Sequence, residues 1–127
     1  MNERYIRQTM IPEIGEAGQE KLKNAKVLIV GIGGLGSPIS LYLTAAGVGQ
    51  IGLIDDDIVS RSNLQRQILY TEAEIGQSKV ECACRRLSAL NSSTRFETYP
   101  NLFTPDNADR LVSAYDIIVD GCDNAAT

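Results

Sequence analysis

At 127 residues, with 43% hydrophobic and 22% charged side chains, the chain has the size of one domain and a composition that excludes disorder. No apolar run approaches the ~20 residues of a membrane span, and the charged opening from Met1 to Gln8 lacks a signal-peptide core, so a cytoplasmic protein with no membrane partner is expected. A net charge of −4 argues against nucleic acid as a partner, because phosphate backbones select basic faces, yet leaves room for a nucleotide held by a local positive site.

In chain order, Glu16 to Asn24 is polar, with Ala17 and Leu22 spaced for a short helix. Lys26 to Val30 is a continuous run of β-branched and apolar residues ending in glycine, as a strand buried on both faces reads. The turn Gly31-Ile32-Gly33-Gly34-Leu35-Gly36 follows at once. Leu35, Ile39 and Leu43 then recur at helical spacing, with Pro38 in the first turn and Gly47 as the stop. Gln50 to Ile54 reads as a second buried strand, closed by Asp55-Asp56-Asp57.

From Gln77 to Leu90 the spacing of Val80, Cys84, Leu87 and Leu90 predicts a helix. Arg95 to Tyr99 alternates as a third strand. Thr104 and Pro105 have the character of an N-cap and first helical residue, and Ala108, Leu111, Val112 and Tyr115 supply the apolar face behind them. Asp116 to Asp120 is a further buried strand. The alternation predicts an α/β, Rossmann-like fold with a mostly parallel sheet and helices on both faces.

Cys82 and Cys84 make a C-x-C rather than the paired C-x-x-C of zinc or redox sites, so they and Cys122 read as ordinary core or surface residues. The absence of histidine removes the commonest general base and metal ligand. Any catalysis therefore falls to carboxylates, cations, backbone amides and a metal.

Three constellations carry such chemistry. Gly31, Gly33 and Gly36 satisfy G-x-G-x-x-G between a strand and a helix, where glycines admit a phosphate and the helix terminus offers unpaired N–H groups. Asp55, about 20 residues further on, is placed to accept hydrogen bonds from ribose hydroxyls, which suits NAD and ATP equally; Asp56 and Asp57 read as a solvated loop. Beyond it, in residues 62–67, Arg66 presents a planar fork for phosphate oxygens. Lys79, near the start of the next helix, can reach the same cavity. Two cations after a phosphate loop and a ribose acid suggest a triphosphate rather than the diphosphate of NAD. Asp123 lies at the end of the last strand, where open α/β sheets bind ligands, and a carboxylate there suits Mg²⁺ beside phosphates.

Together the blocks RYIRQ, GIGGLG, AGVGQIGLIDDD, SNLQRQ, IGQSKV and DGCDN resemble the ThiF/MoeB/HesA family, bacterial relatives of ubiquitin-activating enzymes, along the whole chain. The run SNLQRQILYT and the helix LYLTAAGVG are most like the thiamine-biosynthesis branch, ThiF. The resemblance implies ATP-dependent adenylation of the C-terminal glycine carboxylate of a ubiquitin-fold sulfur carrier ending in Gly-Gly, ThiS-like in thiamine biosynthesis. The MoeB-type alternative activates the small subunit of molybdopterin synthase.

It also implies roles. Gly33 and Gly34 would line ATP, Asp55 would hold its ribose, and Ser62, Asn63 and Arg66 would contact ribose and phosphate. Lys79 would meet the phosphates. Asp123 would bind Mg²⁺ with Asn124 beside it. Arg7 would reach the ATP of a neighbouring subunit in a homodimer, a role that its own polar setting does not suggest.

The family continues past position 127 into a second half, so residues 1–127 are expected to be the N-terminal ATP-binding portion of an adenylyltransferase domain, itself incomplete. Two readings of other classes stand beside the enzyme. One is an inactive nucleotide-binding or dimerising fragment. The other is an NAD-dependent oxidoreductase, disfavoured by Arg66, Lys79 and Asp123.

Overall fold

The structure, a computed structural model, describes residues 3–65 and 67–121; Arg66, Cys122, Asp123 and Asn124 lie outside the described residues. Strands β1 (Lys26–Val30), β2 (Gln50–Ile54), β3 (Arg95–Tyr99) and β4 (Ile117–Asp120) form one sheet in the order β3-β2-β1-β4. Every neighbouring pair is parallel, so each connection must cross back over a face of the sheet. Helices α3 (Gly36–Ala46), α4 (Lys79–Leu90) and α5 (Pro105–Ala114) make those crossings, and α1 (Ile6–Thr9) and α2 (Gly15–Asn24) precede them.

The uninterrupted apolar run of β1 is explained by its two coats. Val27 and Ile29 join a core with Val80, Ala83 and Leu87 of α4 and with residues of α3, while Leu28 and Val30 join a second core with Leu111 of α5 and Tyr115 just after it. The expected Rossmann-like arrangement, with helices on both faces, is therefore present. Among the described residues no helix is long and apolar enough to cross a membrane.

The departures from the sequence reading have two main causes, the small residues that a close approach demands and the pairing of a strand on one side only. On α3 the fully buried face is Gly36, Ser37, Ser40 and Thr44. Leu35 is 63% exposed, and Ile39 and Leu43 are only partly buried. A Cβ on Gly36 would lie 1.8 Å from the carbonyl oxygen of Gly31, so the helix approaches the strand turn too closely for large residues. On α4 the buried residues include Cys82 and Ala83, and Leu90 in the last turn is 38% exposed. Strand β4 is exposed along most of its length, because among the described residues it pairs with β1 alone.

Helix α5 carries the second core and starts where Thr104 and Pro105 indicated. The backbone N–H of Thr104 donates to Asn107 Oδ1 at 2.9 Å, and Asn107 Nδ2 donates to the carbonyl of Leu102 at 2.8 Å. Replacing Asn107 with alanine removes both bonds and is expected to cost about 1 kcal/mol of unfolding free energy. Urea denaturation measures this, and an unchanged midpoint would show that the turn holds without them.

Candidate functional site

The glycine loop is built first. Gly31, at a φ of 88°, donates its N–H to the carbonyl of Ile54 at 2.9 Å, which ties the end of β1 to the end of β2. Gly121, just after β4, packs on the same point: a Cβ there would lie 2.8 Å from both Gly31 O and Gly36 Cα. The loop is thus drawn tight against the carboxyl ends of β1 and β4. Gly33 accepts the N–H of Ser37 at 3.0 Å. Among the described residues, the N–H groups of Gly33 and Gly34 have no acceptor.

Asp55 does more than the sequence suggested. Its Oδ2 accepts the N–H of Ile32 at 2.8 Å, and its Oδ1 accepts the N–H of Asp57 at 2.9 Å. It therefore pins the loop, and each oxygen keeps a lone pair for a ligand hydroxyl. The carbonyl of the same Ile32 accepts the hydroxyl of Tyr70 at 2.6 Å. Burial, and then the charge of Asp55, push the Tyr70 phenol above its usual range, so it remains a donor.

Lys79 is held by a short antiparallel clip. Ile58 bridges Ser78, Val59 donates to the carbonyl of Gln77 at 2.9 Å, and Lys79 donates its backbone N–H to Asp57 at 3.1 Å. The side chain of Lys79 is 4% exposed and its Nζ lies 3.1 Å from Asp57 Oδ2. Asp57 was expected in a solvated loop with Asp56. Both are exposed, and Asp57 is in addition the carboxylate that partners a buried ammonium. A buried lysine needs such a partner, and nothing local in the sequence said which acid would supply it.

The segment after β2 closes the site. Ser60 directs both its backbone N–H and its hydroxyl to Asn63 Oδ1, at 3.2 and 2.8 Å. The carbonyl end of the Asn63 amide is thereby fixed in the turn and its Nδ2 is left for a ligand. Ser62 is exposed, its hydroxyl 3.3 Å from that of Ser60. Gln67 is 4% exposed and lies over the loop: a Cβ on Gly33 would be 3.4 Å from its Nε2. Its Oε1 is buried with no partner among the described residues.

The structure thus brings Gly33, Gly34, Asp55 and Lys79 to the carboxyl ends of β1 and β2, with the turn of Ser62 and Asn63 leading into the same loop. It does not bring Arg7. That residue is exposed in the last turn of α1, and its neighbours anchor elsewhere: Gln8 donates to the carbonyl of Ala46 at 3.0 Å, and Arg4 to that of Leu90 at 3.0 Å. Both acceptors lie at the amino end of the sheet, a strand length of about 17 Å from the loop. Arg66, Asp123 and Asn124 are outside the described residues, and among the described residues no three metal-ligating side chains gather. Sequence reasoning missed Gln67 and Tyr70. Both lie in the run SNLQRQILYT already singled out, but the partner of Tyr70 is 38 residues away, and nothing local pointed to that contact.

The geometry fits a phosphate-bearing nucleotide: two N–H groups and a buried amide oxygen without partners among the described residues, an acid that pins the loop, and a buried ammonium. The ThiF family profile matches residues 5–127. The sulfur carrier protein adenylyltransferase of Thermus thermophilus is 48% identical over 125 residues, 98% of this chain and 46% of that protein. The probable adenylyltransferase/sulfurtransferase MoeZ of Mycobacterium tuberculosis is 48% identical over 124 residues, 98% of this chain and 32% of that one. The chain spans under half the length of these curated relatives. Among solved structures, the E. coli tRNA N6-threonylcarbamoyladenosine dehydratase TcdA in complex with ATP superimposes with a TM-score of 0.90 at 31% identity, over 96% of this chain and 50% of that one.

Proposed function

The chain belongs to the ThiF family, and from that premise we propose that the whole protein adenylates the C-terminal carboxylate of a ubiquitin-fold sulfur carrier, with residues 1–127 as the N-terminal ATP-binding portion. The observation that carries this reading is the pair of Gly33 and Gly34 N–H groups lacking acceptors among the described residues, in the loop that Asp55 pins, with the buried ammonium of Lys79 on Asp57 just beyond β2. The names borne by the relatives support a sulfur carrier as the acceptor. Within that class the sequence blocks favour a ThiS-like carrier of thiamine biosynthesis over the MoeB-type alternative.

The carrier's terminal glycine carboxylate attacks the α-phosphorus of ATP. A carboxylate–phosphorus bond forms, the bond to the β-phosphate oxygen breaks, and pyrophosphate leaves. An α-carboxyl has a pKa of about 3.5 and is already ionised at neutral pH, so no proton need be removed and the lack of histidine is no obstacle. Catalysis is positioning and charge neutralisation. Gly33 and Gly34 donate N–H groups to the phosphates, Asp55 accepts from the ribose, and Ser62, the Nδ2 of Asn63 and Arg66 complete the contacts. The Lys79 ammonium has three donors; Asp57 takes one, which leaves donors for phosphate. Mg²⁺, held by Asp123 with Asn124 beside it, would neutralise triphosphate charge.

Arg7 would act on the ATP of a second subunit. Its position at the far end of the sheet fits a role in trans, and Ile6, Met10 and Ile11 around it are 40%, 68% and 46% exposed, an apolar surface suited to a homodimer. Light scattering tests this, and a monomer at working concentration would count against it.

Calorimetric titration with Mg·ATP, beside NADH, for the wild type and Asp123→Ala tests the site. Magnesium-dependent ATP binding that weakens by about tenfold or more in the variant is the expected result. Binding of NADH instead would revive the oxidoreductase. Silence with every nucleotide would leave the inactive-fragment reading. Carrier-dependent exchange of pyrophosphate into ATP then tests the reaction itself.

A further inference from the structure

We infer that Tyr70 is a positioning residue of the nucleotide site: its buried hydroxyl fixes the Ile32–Gly33 peptide so that the Gly33 N–H faces the phosphates. The inference rests on the reading of the loop as a nucleotide site. It adds a residue that belongs to neither the glycine motif nor the SNLQRQ block.

The argument starts from the planar trans peptide, in which C=O and N–H point in opposite directions. The Ile32 carbonyl is held at 2.6 Å by the hydroxyl of Tyr70, a side chain only 5% exposed. Its partner on the same peptide, the Gly33 N–H, must then point away from Tyr70 and has no acceptor among the described residues. The preceding peptide is fixed as well, because the Ile32 N–H donates to Asp55 at 2.8 Å. One loop residue is thus clamped through both of its backbone groups. A glycine next to it could otherwise turn its peptide over at little cost. Ser37 offers a second hydroxyl to the same carbonyl, but at 3.4 Å, so Tyr70 supplies the shorter bond. The donor is set before any ligand arrives, and the ligand then binds without first ordering it.

Tyr70→Phe removes one oxygen and keeps the ring that fills the core. Affinities for Mg·ATP, AMP and adenosine are measured in wild type and variant, directly for ATP and AMP and by competition for adenosine, after melting curves show both chains folded. ATP and AMP are expected to bind about tenfold more weakly to Tyr70→Phe, with adenosine within about twofold of wild type, because only the phosphate contact has lost its orientation. Unchanged ATP affinity in the variant would overturn the inference while leaving the nucleotide site intact. An equal loss for adenosine would also overturn it, by showing general damage rather than a phosphate effect. A wild-type chain silent to all three would defeat the nucleotide reading itself and the inference with it. Should Tyr70→Phe fail to fold, Ser37→Ala tests the same carbonyl through its longer bond. A smaller but still phosphate-selective loss is expected there, and no selectivity would overturn the proposal.

Discussion

Lys79→Ala is expected to lower carrier-dependent pyrophosphate exchange by about 10²- to 10³-fold, the scale seen when one preorganised charge or donor is removed from a developing anion. The reason is placement. The side chain is 4% exposed, fixed by the clip between the 57–59 and 76–79 segments, and its ammonium has one carboxylate contact, to Asp57 just beyond β2. Lys79→Arg is not expected to rescue the loss. The larger planar guanidinium does not present its donors where the compact ammonium does.

The two partners should also differ in stability. Removing Lys79 leaves Asp57, whose side chain is 60% exposed, free to be solvated, so little unfolding free energy is lost. Removing Asp57 leaves a buried ammonium without its carboxylate and is expected to cost about 1–2 kcal/mol, a value discounted for the exposure of the acid. Exchange assays and denaturation curves on the two alanine variants read both effects. If Lys79→Ala keeps exchange within about threefold of wild type, the lysine is merely the structural partner of Asp57.

That ion pair marks the boundary of what the sequence could disclose. Strands β1 and β2 were legible as short apolar runs closed by a glycine or an acid, and β3 by its alternation; all three sit at the expected residues. The placing of Asp55 was legible because the chain turns directly from β2 into it. Its bond to the Ile32 N–H was not, since that depends on the loop folding back across the end of β1. The inward face of α3 was misread for a related reason. A spacing rule rewards Leu35, Ile39 and Leu43, whereas the close approach at Gly36 selects Ser37, Ser40 and Thr44. The N-terminal residues looked like a polar tail. In fact Tyr5 is buried and accepts from Asn91 Nδ2 at 2.7 Å, so the segment is stitched to the far side of the domain. Contacts across 86 residues leave no local trace.

Gly36→Ala is expected to abolish folding or cost at least about 3 kcal/mol, although it adds a single methyl group. That methyl would sit 1.8 Å from the Gly31 carbonyl oxygen, backbone of a residue whose own N–H is bonded to Ile54 at the end of β2. Relief would require α3 to move off the sheet and expose the core it covers. Gly33→Ala makes the informative contrast. Among the described residues its methyl would meet the Gln67 amide alone, Nε2 at 3.4 Å and Cδ at 3.8 Å, the far end of a side chain that can shift. The fold should therefore survive while ATP binding weakens, because the methyl and the displaced amide intrude where the phosphates approach. One glycine of the motif is required by the packing of helix on strand, the other by the ligand. Denaturation curves and ATP titrations on both variants separate the two roles. A Gly36→Ala chain that melts with the wild type would show that α3 has room to slide. A Gly33→Ala chain with undiminished ATP affinity would show that the phosphates do not pass over Gly33.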